Sequence, residues 1–358
     1  MPRHHPELGG SCHDRGAARL PTDSCVGRLE AGRRPRVTPL TPLNVSVLVC
    51  THDPRPHHFA RCVVALREQR LSRDRWELII VDNASSPEHV PTADLSWHPA
   101  ARVIREGSLG LTPARLAGIR ATTGDLLVFV DDDNVLDRDF VETCVRVADE
   151  KPFLGAWSGQ CRPEFEEPPP EWTRRYWGNL VIREFDGEEW SNLPRLPDTM
   201  PCGAGLCVRR AVAQRYLDLH ESGRRPVQLD RAGGSLMSGG DNDLAACACD
   251  LGLGVGLIPA LRLTHLIPPE RLTERYLAQL THAIYYSATM LDAARGIDPP
   301  TRGFAGSIAD LLRLLRVGPR HGRIAAAAQA GRRAAARQLA KTQPRVSSSS
   351  NRAGLPHA

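Results

Sequence analysis

Aromatic residues make up only 5% of this chain, and no window approaches the roughly 18 consecutive apolar residues that a membrane-spanning helix needs. The sequence therefore predicts no spanning segment. The opening stretch MPRHHPELGGSCHDRG also lacks the apolar centre of a signal peptide. The ten cysteines include no CxxC and lack the spacing of a small secreted domain, which fits reduced thiols. Together these absences predict a cytoplasmic location. Cys202 with Cys207, or Cys247 with Cys249, are weak candidates for a zinc pair, because no histidine stands at ligand spacing.

What is present is enough apolar residue, 41% of 358, for a sizeable core, with 29 prolines and 30 glycines that predict long loops. The net charge of +5 is unevenly spread. Residues 1–40 carry +3 and residues 302–358 carry +10, which leaves about −8 on residues 41–301. An acidic middle argues against a specific nucleic-acid partner. Residues 1–42 read as a flexible leader and 342–358 as a disordered tail, being without helical or alternating periodicity.

Folding is expected to start at Asn44. Val45-Ser-Val-Leu-Val-Cys50, Trp76-Glu-Leu-Ile-Ile-Val81 and Asp125-Leu-Leu-Val-Phe-Val130 are apolar runs typical of buried strands, with a shorter strand at 101–104. Helices are expected at 57–70 and from Thr112, as N-cap, to Ala121. The resulting order β, α, β, β, α, β predicts an α/β fold with a mostly parallel central sheet covered on both faces. Its binding crevice should lie beyond the carboxyl ends of the strands, at Thr51, Asp82 and the residues after Val130.

Those residues are Asp131-Asp132-Asp133-Asn134. Three adjacent carboxylates repel one another unless a cation is near, so metal binding is one explanation. The other is an acidic cluster at the start of a helix beginning near Asp137, where the dipole favours negative charge.

Val45-Ser-Val-Leu-Val-Cys-Thr-His-Asp, Glu77-Leu-Ile-Ile-Val-Asp-Asn-Ala-Ser, Leu109-Gly-Leu-Thr-Pro-Ala-Arg and Gly124-Asp-Leu-Leu-Val-Phe-Val-Asp-Asp-Asp-Asn resemble, in order and spacing, the N-terminal half of a family 2 glycosyltransferase with the GT-A fold. Ser238-Gly-Gly-Asp-Asn-Asp-Leu resembles that family's acidic motif, usually Gly-Glu-Asp-x-Asp/Glu-Leu, with Gly240 in place of the glutamate. The resemblance covers residues 44–290, about two thirds of the chain.

It implies a Rossmann-like GT-A domain over 43–296, with a nucleotide-binding half at 43–135 and an acceptor-binding half at 136–296. A basic helical extension is expected at 297–341. Thr51 and Asp53 would stand in the first nucleotide loop, Asp82 at the base and ribose, Asp132 at the ribose, and Arg115 and Gly203 beside the donor. Asp131 and Asp133, with His265 closing the site, would hold Mg²⁺ or Mn²⁺ against a diphosphate leaving group. Asp241 would be the base that deprotonates an acceptor hydroxyl, giving inversion, with Asp243 as the lesser alternative. Plainer roles stay open at this point. Thr51 and Asp82 are also ordinary turn and helix caps, Arg115 an ordinary ion-pair partner, and His265 an ordinary structural histidine.

Trp172 and Trp177, in a Pro-rich stretch from 161 to 201, are candidates for acceptor recognition or for core packing. Gly252-Leu-Gly-Val-Gly256 precedes a strand-like run and reads as a turn. Arg271 and Arg275 either reach the pyrophosphate or pair with Glu270 and Glu274 along a helix. Ile308-Ala-Asp-Leu-Leu-Arg-Leu-Leu-Arg and the Ala/Arg-rich stretch after it either touch anionic lipid peripherally, at the inner face of the plasma membrane, or pack on the catalytic domain. The resemblance implies transfer from a nucleotide-diphosphate sugar to a glycan or lipid-linked acceptor in polysaccharide or cell-envelope assembly. The rivals are a catalytically silent nucleotide-sugar-binding or scaffold protein, and a nucleotidyltransferase, whose Gly-rich phosphate loop is not evident here.

Overall fold

A computed structural model describes residues 44–194, 198–225, 229–297 and 318–342. The first elements follow the expected order: β1 (Val45–Thr51), α1 (Pro56–Arg67), β2 (Trp76–Asn83), β3 (Ala101–Glu106), α2 (Leu111–Ala121) and β4 (Leu126–Asp131). Next come β5 (Asn134–Leu136), α3 (Phe140–Glu150), β6 (Leu154–Phe165), β7 (Glu189–Ser191), β8 (Leu206–Arg209) and α4 (Arg210–Glu221). The last elements are α5 (Gly240–Asp250), β9 (Gly254–Ile267), α6 (Glu274–Ala294) and α7 (Pro319–Thr342).

One sheet runs β3-β2-β1-β4-β8-β6-β9-β5, with β7 paired to β9. It is mixed, but parallel pairing dominates. The parallel ladders span six to ten residue pairs and the antiparallel ones two to four. The apolar strands are buried on both sides, so they read in sequence as unbroken hydrophobic runs. Val45, Val47 and Val49 of β1 face a core shared with Phe59 and Leu66 of α1 and Phe140 of α3. Leu48 faces the other core, with Ile119 of α2, Tyr216 of α4 and Leu244 of α5.

This period-2 division puts the carboxyl ends of β1 and β4 side by side, Cys50 opposite Asp131. Gly110, at φ 141°, caps α2 in a conformation that only glycine adopts readily, two residues before the cap the sequence suggested. Thr112 is therefore not its cap. It lies within the first turn and donates its hydroxyl to Asp230, 2.9 Å away. Gly252 does form a turn, but Gly254 and Gly256 belong to β9, where β7 leaves little room for a side chain.

The Arg-rich α7 packs along α6. Ile324 is buried against Leu277 and Leu280, and Ala335 against Met290 and Leu291. At Gly331 a Cβ would come within 2.2 Å of the His282 carbonyl oxygen, so the small residues of this helix are what let it lie close. The stretch 308–316, the expected leader and residues 343–358 of the expected tail lie outside the described residues, while Thr342 ends α7. Among the described residues no helix is long and apolar enough to cross a membrane.

Candidate active site

Beyond the ends of β1 and β4 opens a cavity of about 500 Å³. Of the residues expected to meet a ligand, Thr51, Asp53, Arg115, Asp131, Asp132, Asp133, Gly203, Asp241 and His265 all line it. Asp82, Trp172 and Trp177 do not.

One wall is the turn that follows β4. The chain reverses through Asp132 and Asp133 into β5, which pairs antiparallel with β9 so that Asn134 lies opposite His265. Asp133 Oδ2 thereby lies 3.4 Å from His265 Nε2 and 2.9 Å from an Arg271 guanidinium nitrogen, which is itself 3.0 Å from His265 Nε2. His265 Nδ1 is 3.0 Å from the Leu180 carbonyl oxygen, a partner that can only accept, so Nδ1 carries a proton and Nε2 is turned toward Asp133 and Arg271.

The three carboxyls do not titrate alike. Burial would raise Asp133, but His265 and Arg271 overcome it and hold that carboxyl well below its ordinary range. Burial and the neighbouring Asp133 raise Asp131. The same two causes push Asp132 up to about 7, against the opposing hydrogen bond from the Thr51 hydroxyl.

The opposite wall is the start of α5. Asp241 is held by two backbone N–H groups, Gly203 to Oδ2 at 2.7 Å and Asn242 to Oδ1 at 2.9 Å. A Cβ at Gly203 would stand 3.1 Å from that same Oδ2 and 3.1 Å from Arg115, so a side chain there would crowd both groups. Asp243 points elsewhere. It is buried between Arg225 at 2.9 Å and Arg295 at 2.7 Å, which leaves Asp241 as the cavity carboxylate of this motif.

The remaining candidates divide by position. Asp53, at φ 46°, accepts from the backbone and hydroxyl of Ser86, which lowers its carboxyl and ties the first loop to the second. Asp82 is buried, accepts from the Ser85 backbone at 3.1 Å and pairs with Arg105 at 2.9 Å. It braces the loop from behind, while its neighbour Asn83 reaches the cavity.

Trp172 and Trp177 belong to a separate cluster between the 3₁₀ turn at Glu171–Leu180, α6 and α7. Trp177 packs tilted against Phe165, ring centroids 5.0 Å apart, and Trp172 lies under Arg320 of α7. Their packing role is the one the structure displays, because indole rings at a helix junction bury apolar area there.

Of its two expected roles, Arg271 does not take the pairing with Glu270 or Glu274; it lines the cavity. It sits on Asp133, while Glu270 pairs with Arg55 and Glu274 with Arg323. Asp230 and the loop around Gly233 and Gly234 were not singled out in the sequence, yet both line the cavity. The signal for Asp230 was an acid near a motif lacking its usual glutamate.

Among the described residues no three His, Cys, Asp or Glu side chains converge closely enough to hold a metal ion. Asp131 therefore does not complete a set with Asp133 and His265, and the eight described cysteines are free thiols. One carboxylate and one imidazole lone pair fit a Mg²⁺ or Mn²⁺ that takes its other ligands from diphosphate and water. They do not fit a cation caged by protein alone.

Residues 46–216 match the model of Glycosyl transferase family 2. A segment is 29% identical over 112 residues to EpsH of Bacillus subtilis (strain 168), covering 31% of this chain and 32% of that one. Another is 27% identical over 140 residues to the glucosyl-dolichyl phosphate glucuronosyltransferase of Haloferax volcanii, covering 38% and 44%. The chain thus spans less than half the length of either relative. Among solved structures, the mannosyltransferase PcManGT from Pyrobaculum calidifontis, in complex with GDP-Man and Mn²⁺, is 20% identical with a TM-score of 0.49, covering 85% of this chain and 80% of its own. S. aureus TarS is 13% identical with a TM-score of 0.45, covering 76% and 42%.

Proposed function

Residues 46–216 of this chain belong to glycosyl transferase family 2, and on that premise we propose that it is a metal-dependent, inverting glycosyltransferase. It moves a sugar from a nucleotide-diphosphate sugar to a hydroxyl of a glycan or lipid-linked acceptor. The observation that carries this reading is one cavity lined on one side by the Asp133–His265 pair and on the other by Asp241.

Asp133 and His265 would hold Mg²⁺ or Mn²⁺, which when bound offsets the charge that collects on the diphosphate as the glycosidic bond breaks. Thr51, Asp53 and Asp132 meet the nucleoside end. Asp82 holds the shape of that loop through Ser85 and Arg105. Gly203 leaves room for the sugar beside Arg115. Asp241, fixed by two N–H groups, has lone pairs left to accept the acceptor hydroxyl proton. The oxygen attacks the anomeric carbon from the face opposite the nucleotide. The new C–O bond forms as the bond to phosphate breaks, and the electron pair leaves with the nucleoside diphosphate.

The Haloferax relative's name specifies a lipid-linked sugar, which supports a lipid-linked acceptor and a role in polysaccharide or cell-envelope assembly. The chain would work in the cytoplasm, with residues 43–135 forming most of the nucleotide side and 136–296 the acceptor side. The exposed Arg333 and Arg337 of α7 would touch anionic lipid at the inner membrane face.

The test is a panel of UDP-, GDP- and dTDP-sugars with Mn²⁺ or Mg²⁺, reading nucleotide release and sugar transfer. Turnover of one donor class, with inversion at the anomeric carbon, is the expected result; retention of configuration or metal-independent turnover contradicts it.

A further inference from the structure

The motif at the start of α5 lacks the carboxylate that usually precedes its aspartate, because residue 240 is glycine. The space is nevertheless filled by a carboxylate. A Cβ built on Gly240 would lie 2.0 Å from Asp230 Oδ2, 2.4 Å from its Cγ and 2.6 Å from Oδ1. Asp230 is buried, and three donors converge on it: the Gly240 backbone N–H at 3.1 Å, the Thr112 hydroxyl at 2.9 Å and an Arg115 guanidinium nitrogen at 2.8 Å. A buried carboxylate survives only with such partners, and three of them, one cationic, meet that need.

We propose that Asp230 supplies, from the loop before α5, the carboxylate that the motif otherwise carries at residue 240, and that it is a positioning residue for Arg115 and Asp241. The geometry links the two roles. Arg115 is itself buried, with one side on Asp230 and the other toward Gly203, whose backbone N–H holds Asp241. The Gly240 N–H bond to Asp230 anchors the first turn of α5, so the residue after it, Asp241, is held from two directions. Thr112 ties the same carboxylate to α2, so one side chain links α2 to the first turn of α5. Glycine at 240 is then a requirement of this arrangement, since any side chain would displace Asp230. It is not a lesion in the motif.

The positioning half of the inference rests on the proposed transfer reaction; the exchange between positions 230 and 240 does not. The experiment has an arm for each. In thermal unfolding of the full chain, Asp230→Ala strands Arg115 and should lower Tm on the order of 10 °C. Gly240→Glu should lower it by a similar amount, by forcing a side chain into the Asp230 carboxylate. The double variant Asp230→Ala with Gly240→Glu puts one carboxylate back and should melt above both single variants. Losses that simply add in the double variant would overturn the exchange.

In turnover with the donor found by the panel, Asp230→Asn keeps the shape but not the charge. It should lower kcat about tenfold or more, with KM for the donor changed by less than about threefold, and the double variant should exceed Asp230→Ala. Turnover of Asp230→Asn equal to the parent would overturn the positioning role. If no nucleotide sugar is turned over, the proposed reaction fails, while the melting cycle still decides whether positions 230 and 240 form one site.

Discussion

At the end of β4, Asp131, Asp132 and Asp133 stand on consecutive residues, with Arg271 and His265 gathered on Asp133 alone; at the start of α5, Asp241 and Asp230 each have donors of their own. The first wall is short of positive charge. Asp131 and Asp132 are pushed upward by burial and by the Asp133 charge, so a cation entering there gains what the protein has left unbalanced. The second wall is already satisfied, and backbone N–H groups hold its carboxylate without neutralising it. That suits a fixed proton acceptor. Acidity alone does not distinguish a cation site from a base; what each carboxylate already touches does.

The largest way to break this contrast is to remove the Asp241 carboxylate while leaving the β4 wall alone. Asp241→Asn is expected to lower kcat by about 10² to 10⁴, with metal-dependent nucleotide affinity unchanged within a few fold, read by steady-state turnover beside calorimetry. A smaller effect separates the walls by pH. Asp132, raised to about 7, keeps its proton in the metal-free fold below that pH, so protons compete with an entering cation there. Mn²⁺ affinity is expected to fall about tenfold from pH 8 to pH 6. The sign for stability is the reverse. A carboxyl whose pKa rises on folding stabilises fully below its ordinary value of 3.8, and that contribution is lost as pH rises toward about 7. The metal-free protein should lose it over that range and recover it on adding Mn²⁺.

Arg271→Met removes the cation that Asp133 and His265 share, and Mn²⁺ alone should bind several-fold tighter in titration, at some cost to the folded state. The smallest effect on the cavity is expected from Trp177→Ala. Losing a half-buried indole should lower unfolding stability by about 2 kcal/mol, by denaturant titration, with nucleotide affinity unchanged.

How much of this was legible follows from what is local. β1, β2 and β4 are apolar on both faces, so Val45–Thr51 and Leu126–Asp131 announce themselves in a handful of residues, and the acids at their ends come with them. The order of elements through β4 needed no long-range knowledge. The start of α2 was misplaced because Thr112 is a good cap by type, while its hydroxyl is claimed by Asp230, 118 residues away in sequence. Asp230 escaped notice for the same reason, since two of its three partners lie on α2. In sequence Arg271 stands between local glutamates and a ligand; the glutamates take other arginines, and the pairing of β5 with β9 carries Asp133 to it, a contact no local pattern announces. The tryptophans were ambiguous because an indole serves a sugar or a core equally well, and only the placement of α7 against Trp172 distinguishes them.

The central claim, that the β4 wall binds a nucleotide diphosphate through a divalent cation, is tested most directly by calorimetric titration. UDP, GDP and dTDP are titrated into the protein with Mn²⁺ or Mg²⁺ and with EDTA, and again into Asp133→Ala. One nucleotide is expected to bind with metal, to be lost with EDTA and to weaken on the substitution by at least about a hundredfold, the scale of about 3 kcal/mol that such an electrostatic contact supplies. Binding that survives both EDTA and Asp133→Ala would contradict it, as would the absence of binding by all three nucleotides.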